Sequence, residues 1–422
     1  MINPAKSPPL LVPIGLILAG LTGLLLLQPL LLLKAPMIFG EFRFNAATLA
    51  AVHLFTLGFA TTVMTGAFYQ ITPVMLIARP VSGPWVVPQA VLHLAGSALL
   101  IAGFYAYETL WIAVGGSLVT LGTALFIALV GRCMASSTQW TVSGSYMMAG
   151  LSFLAGTVLW GLTLALNLRW NFLGDTLSNA PLGGHLVLGL GGWFMLTIFG
   201  VSYQLIPMFA LSSRTSDQQA KQALAYLTTG CWAAFLALAT RQPAYLTGLL
   251  LLPALAGVGL YAGEMAAVLR RRRRPELDLG MRYALTSLAF LGLSLLLYAA
   301  GVATGVTRVL VAATWLFLPG FVGSMILGML YKIVPFLIWH YLLKSRTDKS
   351  QRLPTLEQMY HRGIAKAGFL LWTGGQLLTT LVVLAAGTSL PALLRAALAL
   401  GGTGALLFIF TILQVLRAKP LE

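Results

Sequence analysis

Two histidines stand inside long apolar segments of the sequence, where ionisable side chains are rare. His53 lies in the segment 45–77, and His185 lies in the segment 183–210. Neutral imidazole is the usual protein ligand of haem iron, copper and zinc, and an ionisable residue inside a membrane span is a functional candidate by default. A histidine that hydrogen-bonds a hydroxyl or a backbone carbonyl at a helix contact is the simpler alternative. The sequence therefore offers His53 and His185 as candidate cofactor or metal ligands, with a packing role left open.

The two histidines have different spacings from a tyrosine later in the same segment. His185 precedes Tyr203 by 18 residues, which is five turns at about 3.6 residues per turn. His53 precedes Tyr69 by 16 residues, which places the two side chains about 160° apart. A uniform α-helical period thus predicts that only His185 shares a face with its tyrosine. The two histidines are not equivalent copies of one site.

Both tyrosines belong to a motif, Gly-x-x-Tyr-x-x-x-Pro, that occurs three times. The three tyrosines are 134 and 128 residues apart, and the residue after the tyrosine is glutamine, glutamine and lysine in turn. The motif residues are Gly66, Tyr69, Gln70 and Pro73, then Gly200, Tyr203, Gln204 and Pro207, then Gly328, Tyr331, Lys332 and Pro335.

The motif has a backbone explanation. Proline cannot bond the carbonyl four residues earlier, which here belongs to the motif tyrosine, so a kink is expected in each helix. The glycine allows a neighbouring helix to approach closely, as small residues do in bilayers. These properties favour a packing and kinking role over a ligand site.

The remaining polar residues inside apolar segments give weaker signals. His93 corresponds in register to Tyr226, which favours aromatic packing. Glu264 and Lys332 could form an ion pair, although side chains that extend to the membrane interface explain both. Cys133 and Cys231 make no metal-binding pattern. The sequence contains no phosphate-binding loop, no dinucleotide fingerprint and no HExxH zinc motif, so hydrolase and nucleotide-binding functions have no support.

The elements that position these residues are transmembrane helices. Hydrophobic residues make up 58% of the 422 residues, and charged residues only 9%. Apolar runs long enough to cross about 30 Å of hydrocarbon follow one another along the whole chain. The predicted spans are 10–33, 45–77, 85–105, 109–131, 145–166, 183–210, 222–240, 244–268, 283–301, 308–342, 363–386 and 391–416.

The motif spacing groups the spans into internal repeats. Residues 1–422 form one all-α integral membrane domain, with repeats of four spans at about 10–131, 145–268 and 283–416. An even number of spans per repeat gives the three units the same orientation. The sequence therefore predicts three four-helix units around a pseudo-threefold axis near the membrane normal.

The basic residues indicate a topology rather than nucleic-acid binding. The formal net charge is +16, but the lysines and arginines occupy short loops between spans. With both termini in the cytoplasm, 20 of the 26 basic residues lie inside, in agreement with the positive-inside rule. The first span is expected to be retained, because its apolar run is too long for a signal peptide. The six basic residues on the outer side are Lys34, Arg43, Arg169, Arg241, Arg308 and Arg395.

In span number and internal symmetry, the chain resembles the catalytic subunit, subunit I, of the heme-copper oxidase superfamily. That resemblance implies twelve spans in three arcs of four. It puts His53 where the family has a low-spin haem ligand, and His185 where it has the first copper ligand. NnrS-like membrane proteins are a looser parallel, with haem and copper linked to nitric oxide.

The chain departs from the oxidase pattern in its other ligands. The family's histidine pairs in spans 7 and 10 have no counterpart in 222–240 or 315–339, and the family's tyrosine in span 6 is replaced by Gly189. The resemblance therefore implies a divergent member in the bacterial inner membrane. This protein is not expected to reduce oxygen alone.

Several functional predictions stay open. The protein binds haem b or copper in respiratory or nitric oxide metabolism as an oxidoreductase-like protein, or it is metal-free and serves as an assembly or partner subunit. A small-molecule transporter or channel is the rival class. The expected partners are the lipid bilayer and other membrane or cytochrome subunits, and no nucleic acid.

Overall fold

The computed structural model describes residues 11–40, 45–81, 83–174, 179–213, 216–345 and 353–419. Within these ranges every regular element is helical and no strand occurs. Twelve helices are long and apolar enough to cross a membrane, with mean hydropathies from 1.3 to 2.3. The prediction of an all-α membrane protein with about twelve spans is confirmed.

The helices are numbered as spans 1 to 12 in chain order, and a short 3-10 helix, Leu356–Gln358, precedes span 11. Their bounds are Leu11–Ile38, Ala46–Met75, Val86–Ala106, Thr109–Ala135, Val142–Trp170, Ala180–Ala210, Asp217–Ala239, Ala244–Arg270, Leu279–Thr304, Thr307–Leu342, Arg362–Ala386 and Pro391–Leu416. Several basic residues of the topology prediction lie outside the described residues, namely Lys6, Arg43, Arg214, Arg346, Lys349 and Arg352.

Helices form because hydrocarbon offers no partners to the backbone, so each N–H and C=O must be paired within the span. Side chains also define several starts. Asn45, Thr141, Ser216 and Asp278 each cap the first turn of spans 2, 5, 7 and 9, because a side-chain oxygen accepts a hydrogen bond from a backbone N–H. These caps fix where the apolar runs begin.

Spans 2, 6 and 10, which carry the repeated motif, differ from the other nine. Their most apolar stretches are 56%, 72% and 72% buried, against 22% to 50% elsewhere. Each contains a π-helical segment with wider turns: Leu54–Thr61, Val187–Leu196 and Leu316–Gly323. The segments end eight, seven and eight residues before the motif tyrosines. A uniform α-helical period was therefore wrong for these spans.

The π-helical segments reveal further positions of the repeat. Eleven residues before each motif tyrosine stands a glycine that is followed by a fully buried aromatic residue. Each of these glycines packs against the first span of its own repeat, where it meets Gly23, Phe153 or Phe290. The pairs are Gly58 with Phe59, Gly192 with Trp193, and Gly320 with Phe321.

The chain divides into two compact units, and the division falls inside span 2 between Ala67 and Phe68. In the unit Phe68–Glu276, spans 3 and 4 pair closely, as do spans 7 and 8. In the other unit, Pro9–Ala67 with Leu277–Glu422, spans 11 and 12 pair in the same manner. Glycines such as Gly96, Gly230 and Gly375 allow these close approaches. The grouping into three units around one axis stays a prediction.

Candidate functional site

His53 is the last residue before the π-helical segment of span 2. Its side chain is half-buried, and ring Nδ1 lies 2.8 Å from the Leu49 carbonyl oxygen one turn earlier. If Nδ1 carries the proton, it donates to that carbonyl, and Nε2 carries the lone pair. Metal-ligating histidines usually have their second ring nitrogen held in this way. A ring held in this way could ligate a haem iron.

His185 also stands just before a π-helical segment, in span 6. Its ring is half-buried and packs against Gly161 of span 5, where an added Cβ would come within 2.8 Å of ring Cε1 and 3.3 Å of Nδ1. Gly161 therefore provides the space for the imidazole. Because Val187–Leu196 is π-helical, the prediction that His185 and Tyr203 share a face rested on the wrong helical period. The same applies to the 160° separation of His53 and Tyr69.

The copper site that the oxidase resemblance implies does not fit the residues near His185. The face of span 7 that meets the start of span 6 carries Trp232 and Phe235. The Trp232 ring stacks on Phe153 at 4.6 Å, and Phe235 meets Trp160 edge-on at 5.5 Å. Aromatic rings thus occupy the place of further imidazoles. Within the described ranges, no group of three or more histidine, cysteine, aspartate or glutamate residues could hold a metal ion.

The motif glycines have the packing role that the sequence predicts. An added Cβ at Gly66 would meet the Pro13 carbonyl oxygen at 2.8 Å, and one at Gly328 would meet the Gly280 carbonyl oxygen at 2.7 Å. At Gly200 the Cβ would meet that of Tyr146. In each repeat, the motif glycine lets span 2, 6 or 10 contact the first span of the same repeat.

The motif tyrosines make a second repeated contact. Each ring meets an aromatic ring of the fourth span of its repeat edge-on, at centroid distances of 5.7, 5.3 and 5.0 Å. These contacts join Tyr69 to Phe126, Tyr203 to Tyr261 and Tyr331 to Phe408. Edge-on geometry suits the quadrupoles of aromatic rings.

The tyrosine hydroxyls, by contrast, have different surroundings. The Tyr69 hydroxyl donates to the Gln89 side-chain oxygen at 2.7 Å. The Tyr331 hydroxyl lies 3.0 Å from the Thr411 hydroxyl. The Tyr203 hydroxyl is buried, and its polar neighbours are Tyr146 and Glu264, neither of which meets it in good hydrogen-bond geometry. Tyr203 is therefore the exception among the three.

Glu264 lies beside this unsatisfied hydroxyl. It stands one turn after Tyr261 in span 8, is 4% exposed, and lies close enough to interact electrostatically with Tyr146, Tyr203 and Tyr261. Neither carboxylate oxygen has a hydrogen-bond partner in good geometry among the described residues, although the Tyr203 hydroxyl is within reach. The Tyr261 hydroxyl is 2.6 Å from that of Ser202. A buried carboxylate is thus surrounded by hydroxyl groups.

A cleft reaches Tyr203 from the end of span 6 that carries Pro207. Its empty volume, with open solvent included, is about 360 Å³. The lining residues are Thr141, Val142, Ser143, Tyr203, Pro207, Ser216, Asp217 and Ala220. The topology prediction puts this opening on the cytoplasmic side.

The other polar candidates have structural roles. Lys332 forms an ion pair with Asp278, so its charge has a partner other than Glu264. His93 is 1% exposed, whereas Tyr226, its expected counterpart, is 47% exposed. The two residues, which the sequence places at corresponding positions, therefore differ in burial.

Sequence reasoning treated Glu264 as an interfacial residue and did not single out Tyr146 or Tyr261. Two signals were available. The aromatic residue of the fourth span recurs in all three repeats, and the residue three positions later changes from Leu129 to Glu264 to Thr411. The charged member of such a set is the one that needs an explanation.

No protein-family model matches the sequence, and no curated protein sequence is similar to it. The fold, in contrast, is similar to solved structures, one of which is a heme-copper terminal oxidase studied as a dimer by cryo-electron microscopy. The TM-score is 0.62 and the identity 12%, over 98% of this chain and 84% of the other. At that identity the likeness establishes the fold alone. Over the described residues, the chain is an all-helical membrane protein with the fold of heme-copper oxidase subunit I.

Proposed function

We propose that this protein binds one haem b through His53 and does not reduce oxygen on its own. The observation that carries the proposal is the 2.8 Å contact of His53 Nδ1 with the Leu49 carbonyl oxygen. It orients the ring, and Nε2 is the nitrogen that would ligate the iron. The oxidase-like fold supports the choice of haem over zinc.

A bound haem b would supply a one-electron redox centre inside the membrane. In this proposal His53 holds the iron, and the adjoining π-helical turns set the direction of the ring. Trp232 and Phe235 leave no ligand set for copper next to His185, so no binuclear centre is included. The protein would therefore act in electron transfer or ligand binding, in respiratory or nitric oxide metabolism of a bacterial inner membrane.

Partners of such a protein would be the bilayer and other membrane or cytochrome subunits. In this proposal such a subunit would exchange electrons with the haem. The haem is expected to be reducible by dithionite in the purified protein.

Absorption spectroscopy of the purified protein, expressed with added haem precursor, tests the proposal. A Soret band is expected in the wild type and in the His185→Ala variant, and it should be lost in His53→Ala. His185→Ala is the matched control, because both changes remove a half-buried imidazole next to a π-helical segment. A wild type without a Soret band, or a His53→Ala variant that keeps it, would overturn the proposal.

Metal analysis of the same samples tests the rival cofactor. If the wild type contains copper and His185→Ala does not, the proposal of a haem at His53 would give way to a single copper ligated by His185. Protein that contains neither metal, with both variants only less stable to heat, would favour the metal-free partner subunit.

A further inference from the structure

The polar cluster of Tyr146, Tyr203, Tyr261 and Glu264 has no role in the proposed function, which concerns His53 and His185. We propose that it binds a monovalent metal cation, with Na+ as the representative. The Glu264 carboxylate would supply the charge, and the neighbouring hydroxyl groups would supply further oxygen ligands.

The first argument is the unsatisfied carboxylate. Glu264 is 4% exposed, and neither of its oxygens has a hydrogen-bond partner in good geometry among the described residues. A buried charge without a partner is strongly unfavourable, so a positive charge or a proton must accompany it. The Tyr203 hydroxyl lies beside the carboxylate and can donate one hydrogen bond to it. One such bond still leaves the second carboxylate oxygen and the negative charge without a partner.

The second argument concerns the charge and the type of ligand. Among the described residues, Glu264 is the only acidic residue that interacts with Tyr146, Tyr203 and Tyr261, and the other nearby ligand atoms are neutral hydroxyl oxygens. Oxygen ligands suit hard cations such as Na+. A single positive charge neutralises the site. A divalent cation would leave an uncompensated charge in the low-dielectric interior.

The third argument is the comparison with the other two repeats. Leu129 and Thr411 take the position of Glu264 after the corresponding aromatic ring. In the third repeat, the motif tyrosine and Thr411 satisfy each other at 3.0 Å. A neutral residue is thus sufficient for packing at this position. The carboxylate of the second repeat needs a reason other than the fold.

The fourth argument is access. The cleft lined by Tyr203 and Pro207 gives an ion a route to the cluster, and the Asp217 carboxylate lies in its wall. A negative group at the entrance attracts cations. Thr141 and Ser143 add further polar atoms along the route.

The test is equilibrium binding of radioactive 22Na+ to the purified full-length protein in detergent. The wild type should bind about one ion per chain. Glu264→Gln and Glu264→Thr should each lose at least about tenfold in affinity, since the charged ligand is removed. Tyr203→Phe should weaken binding less. Glu276→Gln, at an exposed loop position, is the matched control and should bind as the wild type does.

Glu264→Thr guards against a variant that fails to fold, because it copies the tyrosine and threonine pair of the third repeat. Sodium binding that is equal in the wild type and both Glu264 variants would overturn the proposal. So would a wild type that binds no sodium and shows, by infrared spectroscopy, a protonated carboxyl band that Glu264→Gln removes. The site would then hold a proton and no metal cation.

Discussion

Replacement of Gly328 by alanine tests whether close packing of the first span determines the motif. An added Cβ would lie 2.7 Å from the Gly280 carbonyl oxygen, 2.7 Å from the Tyr283 Cβ and 3.2 Å from the Ala284 nitrogen. None of these atoms can move by side-chain rotation, since all belong to the backbone or are attached to it. Span 9 itself would have to shift.

The magnitude follows from two opposing effects. Overpacking in a well-packed interior costs about 1 to 3 kcal/mol, and contacts with backbone atoms belong at the upper end. Alanine in a helix gains roughly 0.5 to 1 kcal/mol over glycine. The net destabilisation expected for Gly328→Ala is therefore about 2 kcal/mol.

Gly292→Ala is the matched control in span 9. No atom lies within 4 Å of its added Cβ, so only the helix-forming gain applies. Thermal unfolding of the two purified variants, followed by tryptophan fluorescence, should lower the midpoint for Gly328→Ala and leave it unchanged or slightly higher for Gly292→Ala. Equal midpoints in both variants would refute the packing explanation of the motif.

Four further predictions are open to test. Tyr331→Phe should destabilise the protein by about 1 kcal/mol, and a double-mutant cycle with Thr411→Val should show coupling, because the two hydroxyls are hydrogen-bonded. A cysteine placed beside Arg272 should resist an impermeant thiol reagent applied to intact cells. An experimental structure should superpose the three four-helix repeats by rotation about one axis. Burial, helped by Glu357 and Asp278, raises the pKa of Tyr360 to about 12. The stability that the neutral Tyr360 side chain contributes should therefore be fully present below about pH 10 and be lost as the pH rises toward 12. In alkaline unfolding curves, Tyr360→Phe should show a smaller loss of stability.

The sequence was sufficient for the spans and for the glycine contacts. Apolar runs of membrane length leave the backbone no alternative to helix, so all twelve spans could be predicted within a few residues. The π-helical segments could not, because no local residue pattern marks them; in the structure their glycines, Gly58, Gly192 and Gly320, lie against another helix. A period of 3.6 residues was assumed across them, and this made the predicted faces of His53 and His185 unreliable.

The same limitation explains why Glu264 was undervalued. Its distance along the chain from the arginines of span 8 suggested a side chain at the interface, whereas the structure turns it toward Tyr203, 61 positions earlier. No local pattern predicts such a contact. The internal repeat does predict it when the fourth span is included, because Tyr331 contacts Thr411 at the equivalent position of the third repeat. An internal repeat thus supplies two reference copies for each position, and the copy that departs from them in charge is where a function beyond the fold should be sought.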